Sequence, residues 1–310
     1  MIVSFSVDRA VFEAFDPHDA VVQQAHLRLQ EAWRLVGKLH LPTRDDERRA
    51  WFRALQQLPT PLRKRWQQGL MQNRWALADQ ADLHCVTPAQ AAASGLTPTQ
   101  ISLRPAGQPE TCRFDCADRA LGFQQARAQA HLGIPAGTRV QELWERKFAA
   151  LLAQARHVVL VDRYALAAHL DTRRAQPSGL ARLLRELDGL TRPVNVTLYT
   201  QLWSGHRTAL KQLAAGLTQG GIREWRVRLA QDETFVRHAH DRHLRIDRTL
   251  IQLGKGIEVL AGEYVFGASD YDLKPFTPFA RQREEELRRA CREWRWRPGE
   301  PARAPGAEGG

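Results

Sequence analysis

The apolar positions of this chain change period along its length, and the changes mark its elements. Residues 2–7 (Ile-Val-Ser-Phe-Ser-Val) read as a short strand closed by Asp8, which puts a carboxylate at a strand end. Over 20–39, Val21, Val22, Ala25, Leu29, Ala32, Trp33 and Val36 recur at helical spacing, predicting a helix with Gly37 near its end. Thr43-Arg44-Asp45-Asp46-Glu47 supplies the cap and acids of a second helix carrying Trp51, Phe52 and Leu55. Pro61 opens a third with Leu62, Trp66, Leu70 and Trp75, and these tryptophans read as core. Residues 83–86 and 111–115 predict short strands, 118–131 a helix, and 134–138 (Ile-Pro-Ala-Gly-Thr) a connector.

The second half is more regular. Leu143, Trp144, Phe148, Leu151 and Leu152 form the apolar face of a helix over 140–155. Val158-Val159-Leu160-Val161 is an apolar strand that runs into Asp162-Arg163-Tyr164. Helices over 179–190 and 207–217 alternate with strands over 193–199 and 223–229, and residues 240–247 and 250–253 also read as strands. This alternation predicts an α/β layered domain, with Asp162-Arg163, Thr200-Gln201 and His240 emerging where such sheets build their sites. Residues 284–296 predict a charged helix, and the Pro/Gly/Ala-rich tail from Pro298 a disordered end. The expected organisation is a mixed, helix-rich domain over 1–136, an α/β domain over 137–283, and a helix and tail over 284–310.

Composition narrows the partner. A net charge of +11, carried mostly by arginine, favours an anionic one: nucleic acid, an anionic lipid surface or an acidic protein. With 43% hydrophobic residues the chain buries a core, and no apolar run reaches the length of a membrane span. The first residues lack the basic start and apolar core of a signal peptide, so a soluble, cytoplasmic protein is expected. Cys85, Cys112, Cys116 and Cys291 show no zinc-site spacing and read as reduced structural cysteines.

The chemistry concentrates in His240-Asp241-Arg242-His243-Leu244-Arg245-Ile246-Asp247. On a strand, His240 and Arg242 share one face. A histidine beside a cation suits phosphate: one attacks or moves a proton while the other holds the non-bridging oxygens. Lys255 stands between Gly254 and Gly256, where glycines allow a phosphate close to the backbone.

Residues from about 140 to 283 resemble the phospholipase-D-like domain at the C-terminus of the MIT-domain-containing cytokinesis protein of animals. The similarity runs through Leu143-Trp144-Glu145-Arg146-Lys147-Phe148, the strand ending in Asp162-Arg163-Tyr164, and the His240-Asp241-Arg242 segment. It is densest at Ile251-Gln252-Leu253-Gly254-Lys255-Gly256-Ile257-Glu258 and at Asp270-Tyr271-Asp272-Leu273-Lys274-Pro275. The wider phospholipase D superfamily carries a His-x-Lys-x4-Asp motif, which residues 240–247 match with Arg242 in the lysine place. The resemblance implies an αβ sandwich. It also implies that His240 is the nucleophile, Arg242 a phosphate ligand and Asp247 a supporting acid. Gly254, Lys255, Gly256 and Arg163 would complete phosphate binding. The superfamily uses two such motifs; this chain has one, so turnover implies a homodimer. Gly254-Lys255-Gly256-Ile257 replaces the usual Gly-Ser-x-Asn, and the animal relative is understood as a lipid-binding module.

The expected function is therefore a nuclease-like phosphodiesterase acting on nucleic acid. A non-catalytic module binding anionic lipid or nucleic acid is the alternative. By analogy, such a chain suits an effector of a prokaryotic defence system, with partners encoded in its operon. A third reading concerns the first domain. Asp8, with Glu31, Asp79, Asp82 and Asp115, would form an acidic cluster like that of PIN-type ribonucleases. A divalent metal enters only under that reading; otherwise no cofactor is expected.

Overall fold

A computed structural model describes residues 2–77, 99–101, 110–171, 176–238 and 242–298. The chain is α/β and divides into two compact units, Met1–Ala130 and His131–Gly310.

In the first unit, the strands β1 (Val3–Val7), β2 (Gly37–Leu41), β3 (Trp75–Leu77), β4 (Thr99–Ile101) and β5 (Glu110–Cys112) form a sheet in the order β3-β2-β1-β4-β5. β1, β2 and β3 are parallel, while β4 and β5 run antiparallel. The helices Ala20–Val36, Asp45–Gln57 and Thr60–Gln72 supply an aromatic core. Trp33, Trp51 and Trp66 are buried with Phe5 and Phe12, and each indole N–H has an acceptor. Trp33 donates to the carbonyl of Arg74, Trp51 to that of Val7, and Trp66 to Nδ1 of His26.

Three expectations change here, the first being the strand over 111–115, which ends at Cys112 before a 3-10 turn over Phe114–Arg119. The helix over 20–39 ends at Val36, and the following residues are strand β2. Gly37 makes the break: a β-carbon there would lie 2.6 Å from Cα of Trp33, so only glycine lets the chain fold back that closely. Trp75, expected in the core, is half exposed on β3 instead. The expected strand at 83–86, with Cys85, lies outside the described residues, as does the tail from 299.

The second unit holds a sheet of seven strands in the order β11-β10-β9-β6-β7-β8-β12. They are β6 (His157–Val161), β7 (Val194–Gln201), β8 (Ile222–Ala230), β9 (His243–Ile246), β10 (Thr249–Leu253), β11 (Tyr271–Pro275) and β12 (Arg292–Trp296). β6, β7 and β8 are parallel, joined by the helices Ala165–Leu170, Gly179–Asp188 and His206–Ala215. β9 lies antiparallel to β6, and β10 and β11 follow as antiparallel neighbours. The helix after residue 140 is interrupted by a π segment, Trp144–Ala149. The segment expected as a connector is bonded into this unit by isolated bridges, Ile134 to Ser269 and Arg139 to Tyr264.

The helix expected over 284–296 runs instead from Pro278 to Ala290, and β12 follows it. Long-range pairing overrides local helical preference here. Trp294 is buried edge-to-face against Trp225 at 5.2 Å, and Glu224 accepts from Arg226, Arg295 and Arg297 across β8 and β12. Among the described residues no helix is long and apolar enough to cross a membrane.

His26 gives the first unit an acid weakness. It is fully buried, and Nδ1 accepts from Trp66, so Nε2 must carry the proton. Burial pulls the ring down to about 3 from 6.5, and Nε2 has no partner among the described residues. A depressed folded value means that stability is complete above pH 6.5 and falls as pH drops toward 3. Between pH 7 and pH 5 the expected loss is about 2 kcal/mol. Urea unfolding at both pH values measures it, and in His26→Gln most of the loss should vanish. An equal acid loss in that variant would show that other groups carry it.

Candidate functional site

The direction of the strands decides which residues meet. β9 is antiparallel to β6, and its first residue, His243, pairs with Val161 at the carboxyl end of β6. β10 reverses again and ends at Leu253, so residues 254–256 arrive at the same edge. Asp162, Arg163, Arg242 and the Gly254–Gly256 turn thus gather at one edge, where α/β sheets place their ligand sites.

Asp162 is the centre of this cluster. Its side chain is 1% exposed and accepts from the backbone N–H groups of Ile257 (2.9 Å) and Tyr164 (3.0 Å). Burial pushes its carboxyl up, against the pull of these two amides and of Arg242. Gly256 makes the approach possible. Its φ is +64°, and a β-carbon there would overlap the Asp162 carboxylate and come within 2.9 Å of Cδ of Arg242. Arg242 is half-buried and donates to the carbonyl of Gly254. The carbonyl of Arg242 in turn accepts from Leu253 at 3.0 Å.

Lys255 belongs to the same turn. Its backbone N–H donates to Ser269 Oγ at 3.1 Å, and its amine donates to the carbonyl of Phe266. It lines an open cleft of about 580 Å³ together with Gly254, Ser269, Asp270 and residues 132–135. Leu132 of this cleft is tied by Lys147, whose amine donates to Leu132 O at 2.9 Å and lies 4.0 Å from the Tyr271 ring centre. Burial foremost, with Arg146 nearby, draws the Lys147 ammonium down to about 8. Arg163, directly after Asp162, donates to Asp232 at 3.2 Å and lies over the Tyr164 ring.

No protein-family model matches this chain, and none of the curated proteins compared with it matches significantly.

The expected site residues divide. Arg163, Arg242, Gly254, Lys255 and Gly256 share the edge. His240 lies outside the described residues. Asp247 sits in the β9–β10 turn at the opposite end, five residues from Arg242, or about 16 Å along a strand. There its carboxylate accepts from the backbone of His157 (2.9 Å) and Arg156 (3.2 Å), with φ at +49°. It also lines a separate cleft of about 390 Å³ with Arg245, Arg248 and Glu284. Asp247 is a turn residue that fixes the start of β6, not a partner of Arg242.

In the first unit, Asp8 accepts from Ala10 N–H, and burial foremost raises its carboxyl. Asp115 is paired with Arg113 at 3.1 Å, and Glu31 is exposed. Asp79 and Asp82 lie outside the described residues. Among the described residues no group of three or more His, Cys, Asp or Glu side chains gathers to hold a metal.

Reading the sequence placed Asp162 where a site would form but gave it no role, and it passed over Ser269 and Lys147. A signal existed for Asp162 alone: it is the first polar residue after an apolar strand. Two substitutions separate the roles. Asp247→Ala should cost about 2 kcal/mol in urea unfolding, through the lost amide acceptor and the positive φ. It should leave any phosphate binding intact, and lost binding at unchanged stability would return Asp247 to the site. Gly256→Ala should cost about 3 kcal/mol, because its side chain would meet the Asp162 carboxylate. A neutral result would mean that the turn relaxes freely.

Proposed function

We propose that the second unit binds phosphodiester groups of nucleic acid at the carboxyl edge of β6, as a phospholipase-D-like protein acting in the cytoplasm. One observation carries this reading: the strand order brings Arg163, Arg242 and Lys255 to one edge beside a glycine turn, with Arg163 also paired to Asp232. Three cations and a backbone that admits close approach suit a phosphate, and a chain of net charge +11 suits a polyanion carrying many.

Within this reading Arg242 holds non-bridging oxygens with the guanidinium donors that Gly254 does not use. Turnover assigns the nucleophile to His240, two residues before Arg242 in the chain. Its ring nitrogen bonds to phosphorus, the leaving oxygen departs and takes a proton, and water then cleaves the phosphohistidine. As a single motif supplies one histidine, the reaction needs two copies of the chain, each contributing His240.

Fluorescence anisotropy with a labelled single-stranded oligonucleotide tests the binding. Arg242→Ala should weaken it by about tenfold or more and lower the salt dependence by about one ion. Arg242→Lys, which keeps the charge, should retain part of the affinity. Unchanged affinity in Arg242→Ala would overturn the site. Cleavage separates enzyme from binder. Loss of hydrolysis in His240→Ala with binding retained supports the phosphohistidine route. A wild-type chain that binds without cleaving reduces the proposal to a binding module. Preference for anionic vesicles over oligonucleotides would make lipid the ligand.

A further inference from the structure

Beside Lys255 lies a feature that phosphate binding leaves unexplained. Phe266 is 94% exposed and Tyr264 47% exposed, with Val265 between them buried at 3%. The segment is not loose. Val265 donates to the carbonyl of Thr138 and accepts from Gly137, both at 2.9 Å, and Ile134 and Ser269 exchange bonds of 2.8 and 2.9 Å. Burying Val265 turns the side chains before and after it outward together, since neighbours alternate faces in extended chain. Two aromatic rings are therefore held in water by a backbone that is itself well anchored.

Each ring has a cation at its side. Lys255 Nζ lies 5.6 Å from the Phe266 ring centre, and Arg139 lies 5.9 Å from that of Tyr264. Gly267, with φ at +69°, leaves room for the lysine: a β-carbon there would overlap the Lys255 amine. The same lysine follows Gly254, whose carbonyl accepts from Arg242. Lys255 thus links the Phe266 ring to the phosphate edge.

We propose that Phe266 and Tyr264 are stacking platforms for the bases of a single-stranded nucleic acid whose phosphates lie along Lys255 and Arg242. This rests on the phosphate-binding reading above and names its substrate class. A ring flanked by a cation offers one face to a base and a charge to the adjoining phosphate, the pairing that single-strand binders use. A duplex keeps its bases stacked on one another and would leave both rings bare. The platform carries no sequence preference, because every base has a π-face.

Paired oligonucleotides of one length, one bearing bases and one abasic, test this by anisotropy on the full chain. Phe266→Ala should weaken the base-bearing strand about tenfold and leave the abasic strand unchanged. Phe266→Trp should restore the affinity, and its added indole emission should quench on binding. Equal effects of Phe266→Ala on both strands, or none on either, overturn the stacking role. So does a duplex that binds as tightly as the single strand. Loss of binding to anionic phosphatidylserine vesicles in Phe266→Ala, with oligonucleotide binding intact, would make the rings a membrane anchor and overturn it too. Failure of the underlying reading looks different: Arg242→Ala would then leave both strands bound as before, whatever Phe266→Ala does.

Discussion

A carboxylate buried at the end of a strand needs its hydrogen bonds supplied by the fold, and Asp162 is the point where the second unit supplies them. Its acceptors are filled by amides from two separate segments, one directly after β6 and one after the Gly254–Gly256 turn. Those bonds fix the turn against the strand. Gly256 must then lack a side chain, and Arg242 is held against the same glycine. The cationic edge follows from this arrangement: with the turn seated on Asp162, the Lys255 side chain runs past Gly267 to the Phe266 carbonyl.

The same geometry limits what a linear motif can mean. Five residues span about 7.5 Å in a helix and about 16 Å in a strand. Arg242 and Asp247 flank β9, so the strand that brings one to Asp162 carries the other to the far edge. Asp162 and Gly256, which follow different strands, make the closer association although 94 positions separate them in the chain.

The α/β character and the succession of strands and helices in the second unit were legible because each element has a strong period. Val158 to Val161 is continuously apolar, and Leu180, Leu183, Leu184 and Leu187 fall on one buried face. What escaped notice depends on contacts that no local pattern records. β2 looks like the end of a helix until Gly37 is seen against Trp33. β12 looks like more of a charged helix until Trp294 meets Trp225. In the site, the cations and glycines were legible as residue types. Their neighbour Asp162 was legible as a polar residue at the strand end but not as the hub, since nothing in a sequence shows that a carboxylate is buried. The separation of Asp247 was hidden for the same reason: strand length and direction decide it, and spacing alone does not.

The pairing of β12 with β8 also has a bearing on solubility. β8 is a long strand with Trp225 buried in its middle, and without β12 its outer hydrogen-bonding groups would face water. Open edges of this kind recruit strands from other molecules. The arginines at 292 and 295 place charged side chains on the strand that forms this edge, Arg295 in a pair with Glu224, and charge there discourages further addition. A chain cut before Arg292 would lose that guard and offer β8 to its neighbours. The short segment after the last helix thus acts as a stopper on sheet growth, a task separate from anything at the phosphate edge.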